Sequence, residues 1–208
     1  MKMKTSCLIS RLCFSLTLLA LPSHADVEAM GRVLRQQPVL SGFDVCQAGG
    51  CARINTTHID AQEWQQLKRW CEPQPVDAEA ERACIGASLA GFERIVGVKT
   101  GTDKDRGGTF GNSAYAGQMD CNDEAINTTT YLKLMHQHGL LRFHEISDIA
   151  RRGFFFNGWP HTTAVIREIE SHQRYAVDAW FYDNGHAPAI VPFETWESGW
   201  KPEDSHAR

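Results

Sequence analysis

The chain has 208 residues, of which 42% are hydrophobic and 22% charged, and its formal net charge is −4. This length fits a single domain whose core is large enough to fold without a metal. The mixed composition excludes an intrinsically disordered chain, and the mildly acidic balance argues against nucleic acid as a partner.

The first 25 residues have the features of a secretory signal peptide. Three basic residues accompany an apolar run over residues 12–21, and Ser23-His24-Ala25 then offers small residues to a signal peptidase. We therefore predict cleavage after Ala25 and a periplasmic or secreted mature protein. A short membrane anchor is the alternative, but a membrane-spanning helix needs about 20 apolar residues. No later segment is apolar enough to span, so no stable membrane span is expected after cleavage.

After the signal we predict a helical, disulfide-stapled part over residues 26–106. Its helices are expected over 27–37, from Asp60 to about Trp70 and from Asp77 to about Val96. Asp60 and Asp77 are the expected N-caps, because an Asp side chain accepts the free backbone N–H groups of a first helical turn. Residues 40–55, which contain three glycines and two cysteines, predict a stapled loop.

The cysteine count predicts two disulfides and one free thiol. Of the seven cysteines, two fall in the predicted signal, and an oxidising compartment favours pairing of the other five. Four candidates for pairing lie close together in sequence: Cys46, Cys51, Cys71 and Cys84. Pairing of neighbours would close two short loops, whereas a crossed pattern would join the first loop to the helices, and the sequence leaves both open. Cys121 stands apart as a free thiol, a buried apolar residue or an intermolecular bridge.

Residues 107–208 are predicted to form the core that carries the chemistry. A glycine-rich loop over 97–118 leads to a helix that starts at Cys121, with Asp120 as its N-cap. The positive end of a helix dipole lowers the pKa of a thiol placed there. The carboxylates of Asp123 and Glu124 add negative charge and oppose this effect.

The rest of this part is predicted to contain strands. They are expected over 140–143, 162–169 and 175–182, and the last two form a hairpin. His161 opens that hairpin, and Asp178 lies among apolar residues of its second strand, where a carboxylate needs a partner. A turn centred on residues 169–170 would place His161 opposite Asp178, whereas a turn nearer 171–172 would offset the two. The tail beyond the hairpin, with Trp196, is expected to pack at the sheet edge.

Cys121, His161 and Asp178 are the candidate catalytic residues, in that chain order. A thiol nucleophile needs a base that takes its proton and returns it to the leaving group, and His161 fits that role. Asp178 would orient the imidazole and stabilise its charged form. The Cys121 backbone N–H would bind the oxyanion, with Gln118 as a candidate second donor.

These residues lie in the stretches DCNDEAINTTTYL (120–132), WPHTTAVI (159–166) and YAVDAWF (175–181). Together they resemble the transglutaminase-like cysteine proteinases of the papain-like superfamily, over about residues 107–183. The resemblance implies an α+β fold with a papain-like core, in which the helical N-terminal part packs against a small antiparallel sheet. It also implies thiol acyl chemistry on an amide: peptide or isopeptide cleavage, or acyl transfer to an amine, with a peptide, protein or cell-wall peptide as substrate.

Two alternatives remain. The segment from Gly107 to Cys121 also resembles NlpC/P60 cell-wall peptidases, which place Ser and Gly after the cysteine where this chain has Asn122 and Asp123. The other alternative is a catalytically silent binding module on the same fold. Its recognition surface would use tryptophans: Trp159, Trp180, Trp196 and Trp200.

No metal or cofactor is expected. The chain contains neither a Cys-x-x-Cys nor a His-Glu-x-x-His zinc pattern. His136, His138 and His144 are interpreted as exposed residues near a helix end rather than as metal ligands.

Overall fold

The computed structural model describes residues 24–110, 116–153 and 160–203. Most of the predicted signal peptide lies outside these residues. The elements follow in chain order: α1 (His24–Arg35), β1 (Phe43–Gln47), β2 (Arg53–Thr57), α2 (Ala61–Arg69), α3 (Ala78–Thr100), α4 (Cys121–Gln137), β3 (His144–Arg152), β4 (His161–Glu168), β5 (Arg174–Asp178), β6 (Ala189–Pro192) and α5 (Phe193–Glu197). Helices combined with antiparallel sheets confirm the α+β class. Within the described ranges no helix is both long enough and apolar enough to cross a membrane.

The helices begin at the N-caps that the sequence predicts. Asp60 accepts the backbone N–H of Glu63 at 2.8 Å, and Asp77 accepts that of Ala80 at 2.8 Å. Asp120 accepts the N–H groups of Asn122 and Asp123, each at 2.9 Å. Each bond satisfies a donor that the helix itself leaves free, so these local contacts set the start of α2, α3 and α4.

The strands differ more from expectation. β3, β4, β5 and β6 form a four-stranded antiparallel sheet in that order, and β1 pairs with β2 in a separate hairpin. The prediction of a loop over 40–55 is therefore wrong, because β1 pairs with β2 there, whereas the predicted disulfide staple is present. The predicted strand over 140–143 is also wrong: the sheet begins at His144. The predicted strand over 175–182 ends at Asp178.

The two disulfides join neighbours in sequence. Cys46 is bonded to Cys51 and closes the turn between β1 and β2, while Cys71 is bonded to Cys84 and ties the end of α2 to α3. The two predicted disulfides are confirmed, and the connectivity is the uncrossed one. Cys121 is the free cysteine of the described residues, and it is buried.

Helix α4 lies at the centre of the fold. It contacts β1 as well as β3, β4 and β5, and α1 and α3 pack against it. Its Tyr131 ring stacks on Phe92 of α3 at 4.8 Å between ring centres, and Leu132 is fully buried. The surrounding core therefore fixes the helix whose first residue is Cys121.

Candidate active site

Cys121 is the first residue of α4 and is only 9% exposed. The backbone N–H and the side chain of Thr162, in β4, contact its sulfur. The Thr162 hydroxyl also donates to Asn122 Oδ1 at 2.9 Å, which ties the start of α4 to the start of β4. The structure thus places the candidate nucleophile against the residue that follows His161.

The surroundings of Cys121 favour the neutral thiol. Burial raises its pKa to about 12, the negative charges of Asp120 and Asp178 act in the same direction, and the Thr162 N–H opposes them. The expected lowering of this pKa by the helix terminus is therefore wrong. A helix end contributes only about 0.3–1 kcal/mol, which is less than the cost of removing a thiolate from water beside two carboxylates.

His161 and Asp178 form a buried pair. Nε2 of His161 lies 2.6 Å from Oδ2 of Asp178, and the two side chains are 5% and 1% exposed. β4 pairs with β5 in the register that sets Ala164 opposite Val177, so His161 and Asp178 are diagonal neighbours on one face of the sheet. This register lies between the two turn positions that the sequence left open.

Trp196 completes this pair and was not predicted to do so. Its indole N–H donates to the same oxygen, Asp178 Oδ2, at 2.7 Å, and the side chain is fully buried. The sequence predicts that the tail packs at the sheet edge and offers Trp196 for a recognition surface, and the second expectation is wrong because the ring is fully buried. A second donor to Asp178 could have been expected from the sequence, because a carboxylate buried in an apolar strand needs more than one hydrogen bond to offset its loss of water.

Aromatic rings enclose His161. The ring centres of Trp180, Phe181 and Trp196 lie 4.8, 5.2 and 5.7 Å from that of the imidazole. Arg152 covers the far side, with its guanidinium carbon 4.5 Å from the centre of the Trp196 ring and its N–H groups on the carbonyls of Trp196 and Trp200. This enclosure keeps water from the pair and strengthens its electrostatic interaction.

One nitrogen of His161 remains available. Nδ1 is buried and has no hydrogen-bond partner among the described residues. With Nε2 donating to an ionised Asp178, Nδ1 carries a lone pair and can accept a proton. Cys121 Sγ does not bond to Nδ1 in this structure and instead contacts Thr162.

The candidate oxyanion donor Gln118 is 3% exposed. Its Nε2 donates to the Lys104 carbonyl at 3.0 Å, and its Oε1 accepts the Arg106 N–H at 3.3 Å. Gln118 therefore holds the turn over residues 104–106 beside the site. Its role as an oxyanion donor stays a prediction.

The three histidines near the end of α4 differ in exposure. His136 and His138 are exposed as expected, but His144 is fully buried, and its Nδ1 lies 2.9 Å from Glu81 Oε1. The interpretation of His144 as an exposed residue is therefore wrong. Among the described residues one group has metal-ligand spacing, namely Cys46, Cys51 and Asp123, but its two sulfurs are joined in the disulfide.

No family model, curated protein or solved structure matches this chain. The transglutaminase-like resemblance therefore depends on the motif residues, and what it implies is a proposal.

Proposed function

We propose that this protein is an exported cysteine-dependent enzyme of transglutaminase-like type that acts on amide or peptide bonds. Cys121 is the nucleophile, His161 the general base and acid, and Asp178 the residue that orients the imidazole. The observation that carries the proposal is the buried His161–Asp178 pair, which leaves Nδ1 without a partner in the described part of the chain, at the strand position next to Thr162. The papain-like core is part of the same proposal.

The reaction begins with proton transfer from Cys121 Sγ to His161 Nδ1. The thiolate attacks the amide carbonyl carbon, and the oxyanion binds the Cys121 backbone N–H, which has no acceptor within the helix. The imidazolium, stabilised by Asp178, then gives its proton to the leaving amine as the C–N bond breaks. Water or a second amine releases the acyl group from the resulting thioester.

Because the thiol of Cys121 is neutral, His161 has to remove its proton. Because the pKa of Cys121 is raised to about 12, almost no thiolate exists at neutral pH without a base. The sulfur must exchange its Thr162 contact for one with Nδ1 before it can react. Reactivity near neutral pH should therefore depend strongly on His161.

The test is the pH dependence of Cys121 alkylation by iodoacetamide in the folded, oxidised protein, measured by mass spectrometry on the Cys121 peptide. We expect alkylation below the ordinary thiol pKa of about 8.5, and a loss of at least about tenfold at pH 7 in His161→Ala. His136→Ala is the matched control, because His136 is exposed on the same helix. A wild-type thiol that reacts only at strongly alkaline pH, with no change in His161→Ala, overturns the triad. An active thiol then justifies a screen of peptide and cell-wall peptide substrates.

A catalytically silent binding module is the second candidate. The raised pKa of the Cys121 thiol and the missing bond between Sγ and Nδ1 favour it. The alkylation experiment separates the two, because a silent module has no need of a base-activated thiol. An inert Cys121 would give this candidate the lead.

A further inference from the structure

The turn that follows β1, residues 48–51, lies against the start of α4; we call it the disulfide loop, because the Cys46–Cys51 bond closes it. Four consecutive residues, Ala48 to Cys51, have positive φ angles of 70, 85, 58 and 60°. Turn conformations can gather successive backbone N–H groups into a concave site for anions. For Ala48 and Cys51, which carry a Cβ, this conformation costs about 1–2 kcal/mol each and persists only where other contacts enforce it.

The N–H groups of the disulfide loop bind the two carboxylates that flank Cys121. Gly49 and Cys51 each donate to Asp123 at 2.7 Å, and Gly50 donates to Asp120 Oδ2 at 3.1 Å. Both carboxylates also cap α4. The loop thus acts on the residues immediately before and two positions after the candidate nucleophile.

Further contacts tie the same hairpin to α4. The Cys46 backbone N–H donates to Asn127 Oδ1 at 2.7 Å, and Asn127 Nδ2 donates back to the Cys46 carbonyl at 2.9 Å. Ala48 N–H donates to the Gln118 carbonyl at 3.1 Å. The segment from Gln118 to Asn127, which contains Cys121, is therefore held by the hairpin on both sides of the thiol.

The loop supplies the charge compensation that no cationic side chain provides. Asp123 is fully buried, and no ion pair to it is found among the described residues. The carboxyl groups of Asp105 and Glu124 lie near Asp123 and add further acidic groups to its surroundings. Asp120 and Asp178 are the charged groups that act on Cys121 itself, and His161 stands beside them. Without the loop, acidic side chains would dominate the surroundings of the thiol.

We propose that the disulfide loop is the positioning element of the nucleophile: the Cys46–Cys51 bond holds three backbone N–H groups on Asp120 and Asp123, and the reactivity of Cys121 depends on that bond. The Cys71–Cys84 bond, which ties α2 to α3, has no such effect. The catalytic meaning of this inference rests on the proposed function, whereas the dependence of the thiol on the loop does not.

The experiment compares Cys46→Ala/Cys51→Ala with Cys71→Ala/Cys84→Ala, using Cys121 alkylation by iodoacetamide as a function of pH. We expect the first variant to react about tenfold more slowly at pH 7 and its profile to move to higher pH, because the Gly50 N–H no longer offsets part of the negative charge of Asp120. The second variant should unfold more easily but keep the wild-type profile. Equal shifts in both variants would overturn the proposal.

A third variant separates electrostatic positioning from general loosening. Asp120→Asn keeps an N-cap oxygen, since Asn caps helices as well as Asp does, and removes the charge. Added to Cys46→Ala/Cys51→Ala, it should restore most of the lost reactivity, which a purely structural defect would not allow. If Cys46→Ala/Cys51→Ala does not fold, Gly50→Pro decides, because it keeps the disulfide and removes the N–H that the loop donates to Asp120. Slower alkylation at pH 7 then supports the proposal, and an unchanged rate overturns it.

Failure of the proposed function has a different signature. If Cys121 is alkylated equally fast in the wild type and in His161→Ala, the triad fails. Amide hydrogen exchange over residues 121–127 still tests the loop, because it should accelerate in Cys46→Ala/Cys51→Ala and not in Cys71→Ala/Cys84→Ala. Unchanged exchange in the first variant overturns the positioning role whatever the chemistry of the thiol.

Discussion

At the residue scale, one oxygen of Asp178 holds two side chains of the candidate site in place. Oδ2 accepts from His161 Nε2 at 2.6 Å and from Trp196 Nε1 at 2.7 Å, in a position that is 1% exposed. Two N–H donors hold this oxygen in place, and the oxygen in turn orients the imidazole of His161. Trp196 is therefore a positioning residue, since it acts on His161 through Asp178.

Replacing Asp178 with Asn should remove the negative charge that supports His161 as a base. Because the Trp196 indole N–H can only donate, the amide oxygen should occupy the Oδ2 position, so the contact with His161 Nε2 persists without the charge that stabilises an imidazolium. We expect the rate of Cys121 alkylation at pH 7 to fall about a hundredfold or more, with the folded structure retained by circular dichroism.

Trp196→Phe is the graded comparison for that variant. It keeps an aromatic ring in the core and removes the indole N–H, so its effect should be smaller, about tenfold, because Asp178 keeps its charge and its bond to His161. A wild-type rate in Asp178→Asn would show that the charge of Asp178 does not assist proton transfer to His161.

At the scale of elements, a single side chain on α3 determines where the sheet begins. The Glu81 carboxylate is fully buried and accepts the backbone N–H groups of Arg142, Phe143 and His144 at 2.7–3.1 Å. It also binds His144 Nδ1 at 2.9 Å. These bonds hold residues 142–143 outside the sheet and fix the start of β3.

Glu81→Gln should therefore destabilise the fold. The amide places N–H donors against backbone donors and leaves buried groups unsatisfied, so we expect the free energy of unfolding to fall by about 3 kcal/mol or more. Urea unfolding followed by circular dichroism measures it. Glu79→Gln, an exposed position in the same helical turn, should change stability by less than about 0.5 kcal/mol. Equal effects of the two substitutions would contradict a structural role for Glu81.

The contrast between helices and strands explains what the sequence could predict. The caps at Asp60, Asp77 and Asp120 depend on residues two or three positions away, so a local pattern is enough to place them. Three of the four residues in 140–143 are apolar, yet the conformation of this run depends on Glu81, about sixty residues earlier, which no local pattern reports. Four strands, β1, β2, β3 and β6, were missed for the same reason, because each becomes a strand only through its neighbour.

The candidate site likewise contains residues that local sequence identifies and contacts that only the assembled fold creates. Cys121 and His161 were identified from local context: one starts a helix and the other opens a strand. The pairing of His161 with Asp178 depended on a hairpin register that the sequence left open. The bond from Trp196 and the loop contacts to Asp120 and Asp123 join segments far apart in the chain, and the pKa of Cys121 depends on burial that only the assembled fold provides.

At the scale of the whole molecule, buried carboxyl groups connect distant parts of the fold. Glu124 of α4 hydrogen-bonds with Asp105, which accepts the Met119 N–H at 2.7 Å. Glu93 of α3 accepts the Gly185 N–H at 2.7 Å. The network thus ties the loops before α4 and after β5 to the two central helices, beneath the candidate active site.

These groups should make stability depend on pH. Burial raises the pKa of Glu93 from 4.5 to about 8 and that of Asp105 from 3.8 to about 7. The folded protein therefore binds more protons than the unfolded chain between about pH 4 and pH 8, and the stabilisation present below this window is lost as pH rises through it. We expect the free energy of unfolding to be several kcal/mol lower at pH 8 than at pH 5.5, measured by urea unfolding with both disulfides intact.

Glu124→Gln tests whether the network itself is responsible. Burial and the nearby carboxylates raise the pKa of Glu124 well above its ordinary value, so the neutral acid is the form that bonds Asp105. A Gln amide can donate the same bond but cannot ionise, and the variant should therefore keep its stability at pH 5.5 and lose less of it at pH 8 than the wild type. If wild type and variant lose stability equally between these two pH values, the pH dependence arises elsewhere in the molecule.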